Sequence, residues 1–428
     1  MIAALITIVL LTAAGFPFAM ALHPDAPPSA RTGEAFFIGS AWIPIVMFVL
    51  SLLHIPWSVT TIFVCALVPA VAVLPFSIRR MRPPASRTKV TVIDLVTAIL
   101  IALYAIYATL GPLWEWDFWA IFGVKARAFF DSGGIDWRVL TSPFNLYNNP
   151  DYPLALPLLF DVHAVVNGAW DDRWIGLLYP AFTIALVLVT RPLIEKEIDS
   201  PLIASAMTLT LAALSFTRTA GTAEAPLVAV SAAALLTLRR GILDDDIAAI
   251  RTASILLGVA ALMKNEGIAM IAATAVAIWL ATRNWRRVAA LWPAAACGAA
   301  WLLIVRVFDL KSAYLQTESM PHRLATHLRA LPDIIGALVM NTPEHGFFWF
   351  VALIAIVIAF HEAKRETLLA AFIAVQLLFY IAAYLVTGHP VMWQIHTSWA
   401  RLLSHVAIPL AFIAFASAAR WRNAVSGS

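Results

Sequence analysis

The chain has 428 residues, of which 61% are hydrophobic and only 13% are charged, with a net charge of +4. A soluble chain is about half apolar and about one quarter charged, so these few charges cannot solvate a globule of this length. The Lys and Arg residues sit in short groups between apolar runs, not on one basic face, which excludes a nucleic-acid binder.

The apolar runs are long enough to cross a hydrocarbon core about 30 Å thick. They are rich in Leu, Ala and Ile and do not alternate, which predicts helices and excludes a membrane barrel. In chain order, about 13 spans are expected. The first four fall near 2–22, 36–54, 57–78 and 90–112. The next five fall near 174–193, 201–217, 225–240, 248–264 and 266–282. The last four fall near 288–308, 346–360, 367–387 and 401–419. The expected fold class is therefore an all-α polytopic membrane protein. Three regions follow: N-terminal helices over 1–89, a core over 90–290 and C-terminal helices over 291–428. Met1 to Leu22 lacks a basic leading region, so it reads as a retained helix and not a cleaved signal. Cys65 and Cys297 lie in apolar runs and read as small buried hydrophobes.

Basic residues orient the chain. Arg79, Arg80, Arg82, Arg87 and Lys89 mark the inner side. Alternation then puts Arg191/Lys196, Arg239/Arg240, Arg283/Arg286/Arg287, Lys364/Arg365 and Arg420/Arg422 on that same side. The N-terminus is expected outside and the C-terminus inside. The sizeable loops, 113–173 and 309–345, both fall outside. The shorter segments 218–226, 264–267 and 388–401 join them. An active site is expected on that outer face, because loops carry function. Within the first loop a helix is expected from Trp119 to Phe130, stopping at Ser132-Gly133-Gly134. NNPDYPLALPLLFDVHAVVNGAW then reads as a Pro-rich turn entering a helix that lies in the interface, because it carries Asp161 and His163.

Several groups can carry chemistry. Glu115 and Asp117 sit among Trp114, Trp116, Phe118 and Trp119, directly after a span. Apolar surroundings raise a carboxylate's pKa and suit it to act as a base, although an interfacial aromatic belt with incidental acids has the same composition. Lys125 and Arg127 follow on a helix. Glu224 lies in RTAGTAEAPL beside Arg218, and reads equally as a helix N-terminal acid. Lys264, with Asn265 and Glu266, interrupts two apolar runs, where charge is expensive and faces a cavity or a partner. In HPVMWQIHTSWARLL, helical spacing lets Trp393, His396 or Thr397, and Arg401 share a face. Arg401 suits a bidentate grip on phosphate. Arg323, His322 and His327 occupy an amphipathic segment of the second loop. Walker A, Rossmann and HExxH patterns are absent.

WEWDFWAIFGVKARAFFDSGG followed by NNPDYPLALPLL resembles the first outer loop of the GT-C superfamily of membrane glycosyltransferases. The resemblance is to the bacterial branch related to protein mannosyltransferases and aminoarabinose transferases. It covers roughly residues 90–290, and the three helices before it lie outside the pattern. It implies a transferase that takes a sugar from a polyprenyl-phosphate donor to a lipid, glycan or protein acceptor at the outer face of a bacterial inner membrane. By motif position Asp117 would be the base, with Glu115 as the alternate. Glu224 would be the second acid, where family members commonly carry Asp. Lys264, Arg401, Lys125, Arg127 and Arg218 are the cations expected for the donor phosphate. Trp116, Trp119, Tyr152, Trp393 and His396 are the expected substrate contacts. A divalent ion shared by Asp117 and Glu224 with histidines stays open, since no ligand spacing demands one. Two other readings remain: a transporter or flippase of lipid-linked glycans, and a polysaccharide polymerase or ligase.

Overall fold

The computed structural model describes residues 1–78, 89–216, 221–312, 320–341, 346–358 and 360–426. Most of these residues are helical, with no strand among them. The helices before the first long loop are α1 (Ile2–Leu22), α2 (Pro28–Leu52), α3 (Val59–Ile78) and α4 (Val92–Tyr107). The loop itself holds α5 (Gly123–Ser132), α6 (Trp137–Thr141) and α7 (Ala155–Asn167). The next set is α8 (Leu178–Glu197), α9 (Pro201–Ser215), α10 (Glu224–Leu243), α11 (Ile247–Met263) and α12 (Asn265–Thr282). Then come α13 (Trp285–Ala289), α14 (Trp292–Val307), α15 (Met320–Arg329), α16 (Leu331–Met340) and α17 (Gly346–Ile358). The chain ends with α18 (Phe360–Ala363), α19 (Thr367–Val386) and α20 (Val391–Ser426).

Among the described residues, 8 helices are long and apolar enough to cross a membrane: α1, α2, α3, α8, α10, α12, α19 and α20. The expected spans at α4, α9, α11, α14 and α17 are apolar but shorter. Local chemistry sets those lengths. Gly111-Pro112 follows α4, and Pro293 opens α14 one turn after the short α13. A 16-residue helix reaches about 24 Å, short of a core about 30 Å thick.

α10 is the axis of the packing. It is buried almost all round, between α8, α11 and α20. The N-terminal helices are not an appendage. α1 and α2 pack so closely that a Cβ on Gly15 would stand 1.9 Å from the Ala35 carbonyl oxygen. α2 then packs on α7 and α8, and one apolar core runs from Leu11 to Ala419. Outward faces are apolar too: Val64, Val68 and Val71 on α3 and Leu95, Ile99 and Leu103 on α4 are exposed. Helices apolar on both faces belong in a bilayer. Cys65 is on such a face and exposed, against the sequence expectation; Cys297 is half-buried, and neither forms a disulfide.

Charged helix ends sort into two sets. Arg239 on α10 holds Glu366, with Nε–Oε2 2.5 Å and Nη2–Oε1 2.7 Å, and also Glu197 of α8 at 3.0 Å. Arg240 and Arg420 join the same carboxylates. Arg191 binds Asp94 at 2.9 Å and the Lys89 carbonyl at 3.1 Å. All the basic members were expected on the inner side, and they meet at one end. Most of the expected basic marker at 79–88 lies outside the described residues.

α20 differs from expectation. Residues 391–426 form one unbroken helix, with Pro390 at its start and no glycine within it. It is about 54 Å long. The segment expected as an outer loop is therefore, from Val391 on, the first turns of this helix, with Ile395 and Trp399 packed against Tyr380 and Tyr384.

Candidate functional site

The site begins where α4 ends. The chain passes Glu115, Trp116 and Asp117 and enters a π-helical turn, Phe118–Phe122, that runs into α5. Such turns recur at functional sites because they re-aim side chains. α5 stops at Gly133, left-handed with φ 67°, as its sequence predicts. The segment before α10 crosses this turn at Gly221, whose φ is 121°. A Cβ there would lie 3.0 Å from the Phe118 Cβ and 3.2 Å from the Glu115 Cβ. Glycine thus permits both the backbone angle and the approach that brings Glu224 up to Asp117.

Four charged residues singled out in the sequence converge here. Arg401 Nη1 donates to Asp117 Oδ2 at 2.8 Å and lies 3.5 Å from Glu224 Oε1. Lys264 Nζ donates to Glu224 Oε1 at 2.8 Å and lies 2.9 Å from Glu266 Oε1. The Lys264 ammonium is also 5.9 Å from the centre of the Tyr152 ring. Burial and the neighbouring Glu224 carboxylate push the Asp117 carboxyl above its usual range, against the pull of Arg401 and Lys264. Burial opposes the charge on Lys264, but Glu224 and Glu266 outweigh it and hold that ammonium's pKa up.

Asp117, Lys264 and Arg401 lie on the wall of a cavity of about 1030 Å³. Glu115, Trp116, Tyr152, Trp393 and His396 line it as well. Glu224 is buried just behind the wall and touches it through its two cations. No family model, curated protein or solved structure matches this chain.

Three other expected site residues sit elsewhere. Lys125 is fully buried and donates to the Asn149 carbonyl at 2.7 Å. It is a strut under the wall, not a ligand on it. Burial pushes its ammonium down to about 7, with Asp151 opposing. Arg127 faces away, paired with Asp131 at 2.8 Å and set over the Trp170 ring at 5.8 Å. Trp119 is exposed and does not line the cavity. Arg218 lies outside the described residues. In the second loop His327 binds the Leu385 carbonyl at 3.0 Å, and His322 and Arg323 do not line the cavity.

The wall also contains residues that the sequence reading passed over as site groups. Asp151 comes from the turn before α7, and Asn265 and Glu266 open α12. Tyr380 and Tyr384 come from α19, with hydroxyls 2.6 Å from His405 Nδ1 and 2.8 Å from Ser398 Oγ. Two tyrosines one turn apart in an apolar run are a usable signal, since a buried phenol needs a partner. Among the described residues no three His, Cys, Asp or Glu side chains stand close enough to hold a metal ion. Asp117 and Glu224 are engaged by Arg401 and Lys264.

Proposed function

We propose that this chain is an integral-membrane glycosyltransferase of GT-C type. It moves a sugar from a polyprenyl phosphate to a hydroxyl of a lipid, glycan or protein acceptor at the outer face of a bacterial inner membrane. One observation carries the reading: a buried carboxylate, Asp117, is held by Arg401 on the wall of a large cavity with Lys264 beside it. A raised carboxyl pKa is what a base working near neutrality requires.

The acceptor hydroxyl gives its proton to Asp117 as its oxygen bonds to the anomeric carbon. The bond from that carbon to the phosphate oxygen breaks, and its electron pair leaves with polyprenyl phosphate. Arg401 and Lys264 meet the charge that develops there. Attack opposite the leaving group inverts the anomeric carbon. Glu224 holds both cations from behind, and the cavity-lining tryptophans contact substrate. About 13 spans, with the N-terminus outside, belong to this reading. The five shorter helices then cross where the bilayer thins around them.

The test is transfer from labelled polyprenyl-phosphate sugars to candidate acceptors by purified protein, beside Asp117→Asn. Transfer should fall by about 10²- to 10⁴-fold in the variant. Undiminished transfer would remove Asp117 as the base. Lipid movement across a vesicle bilayer without transfer would replace the enzyme with a flippase.

A further inference from the structure

Asp151 is fixed with unusual care for a residue in a Pro-rich turn. Trp301 Nε1 of α14 donates to its carbonyl at 2.9 Å, and Asn265 Nδ2 of α12 donates to its Oδ2 at 3.2 Å. Two residues earlier, Asn149 adopts a left-handed conformation with φ 49°. Its carbonyl accepts from Lys125 Nζ of α5 at 2.7 Å and from the Tyr152 amide at 3.0 Å. Tethers from α5, α12 and α14 therefore aim one turn. A carboxylate buried this deeply is costly, and an apolar turn would need no such support.

Asp151 and Asn265 both stand on the cavity wall. Asn265 directly follows Lys264, so the start of α12 offers one residue to the charged cluster and the next to Asp151. On the reading above, Lys264 marks the donor phosphate. The sugar ring is bonded to that phosphate and must occupy the adjoining wall. A carboxylate accepts from hydroxyls, and an amide both donates and accepts. Hydrogen bonds to a carboxylate are roughly twice as strong as neutral ones. Tyr147, Tyr152 and Trp116 line the same cavity and offer aromatic faces to a ring.

We infer that Asp151, oriented by Asn265 and propped from below by Lys125, is the residue that selects the transferred sugar by accepting hydrogen bonds from its ring hydroxyls. The inference rests on the glycosyltransferase reading. Its chemistry is specific: a site that hydrogen-bonds a hydroxyl strongly rejects the analogue lacking it, because its own polar groups are left unpaired.

The experiment compares kcat/KM for a parent polyprenyl-phosphate sugar and its monodeoxy analogues, in wild type, Asp151→Asn and Asp151→Ala. Wild type should discriminate against one deoxy donor by about 100-fold or more. Asp151→Ala should lose activity on the parent sugar yet treat that deoxy donor almost like the parent. Asp151→Asn keeps one acceptor and the turn's shape, and should fall between. Equal loss on every donor in both variants would make Asp151 a structural residue and overturn the inference. So would discrimination that survives both substitutions. A wild-type chain that transfers no sugar overturns the glycosyltransferase reading itself, whereas active wild type with unselective Asp151 overturns only this step.

Discussion

The molecule carries two buried ionic clusters, one at each end of its helix bundle, and they are built differently. At the end where α10 finishes, Arg239, Arg240 and Arg420 face Glu197 and Glu366, and the central arginine is bidentate to Glu366. At the end where α10 begins, Lys264 and Arg401 face Asp117, Glu224 and Glu266. The Arg239 cluster packs shut, with Arg239 over the Phe412 ring at 4.8 Å. The Asp117 cluster borders about 1030 Å³ of open space. Identical chemical groups therefore serve different ends. Where carboxylates and guanidinium forks saturate each other, they tie α8, α10, α19 and α20 together. Where acids outnumber cations beside a cavity, the cluster keeps a net negative charge next to that space.

The sharpest test of this contrast sets Asp117→Asn beside Arg239→Met. Asp117→Asn keeps an oxygen for Arg401, so the melting temperature in detergent should move little while transfer falls by about 10²- to 10⁴-fold. A large melting shift would make the Asp117 cluster a clamp as well. Arg239→Met leaves the buried Glu366 with Arg420 alone and Glu197 with Arg240 and Arg420. It should cost about 1–3 kcal/mol in an unfolding measurement. A change well under about 1 kcal/mol would show that the Arg239 cluster does not hold the helices.

A smaller effect is expected from pH. Because burial and Glu224 raise the Asp117 pKa, its base form is lost as pH falls through that raised value. The acid limb of the transfer rate should therefore lie above the ordinary carboxylate value of about 3.9. A limb at the ordinary value would contradict the burial argument. The smallest effect is expected at the cavity mouth. Trp393 is 54% exposed, so Trp393→Ala should leave melting unchanged and weaken substrate by only severalfold in KM. A variant that melts early would place Trp393 in the fold, not at the site.

Lys264 was legible because charge beside apolar runs is expensive and must face a partner. Asp117 stood out among its aromatic neighbours, Arg401 by its helical spacing and guanidinium, and Glu224 by the resemblance of its segment. Lys125 and Arg127, which the sequence treats alike, part company in the fold. Two residues apart on a helix, their side chains point about 200° apart. One props a loop from inside while the other faces outward. Asp151 was passed over because NNPDYP reads as turn chemistry, and nothing local says that three helices will brace it. The continuous α20 was likewise hidden, since a polar, aromatic stretch before an apolar run reads as a loop.

By itself the sequence determined the all-helical class, the eight helices long and apolar enough to cross a bilayer but not the shortness of the other five expected spans, and which basic residues gather at one end. Those features depend on composition and on spacing along one segment. Only the tertiary structure decided which charges pair, which face each helix turns inward, and where space is left between them. Asp117 and Arg401 lie 284 positions apart. No local pattern couples residues so distant. Their meeting depends on how α10, α12 and α20 pack around the turn that carries Asp117, and that packing leaves the cavity open beside them.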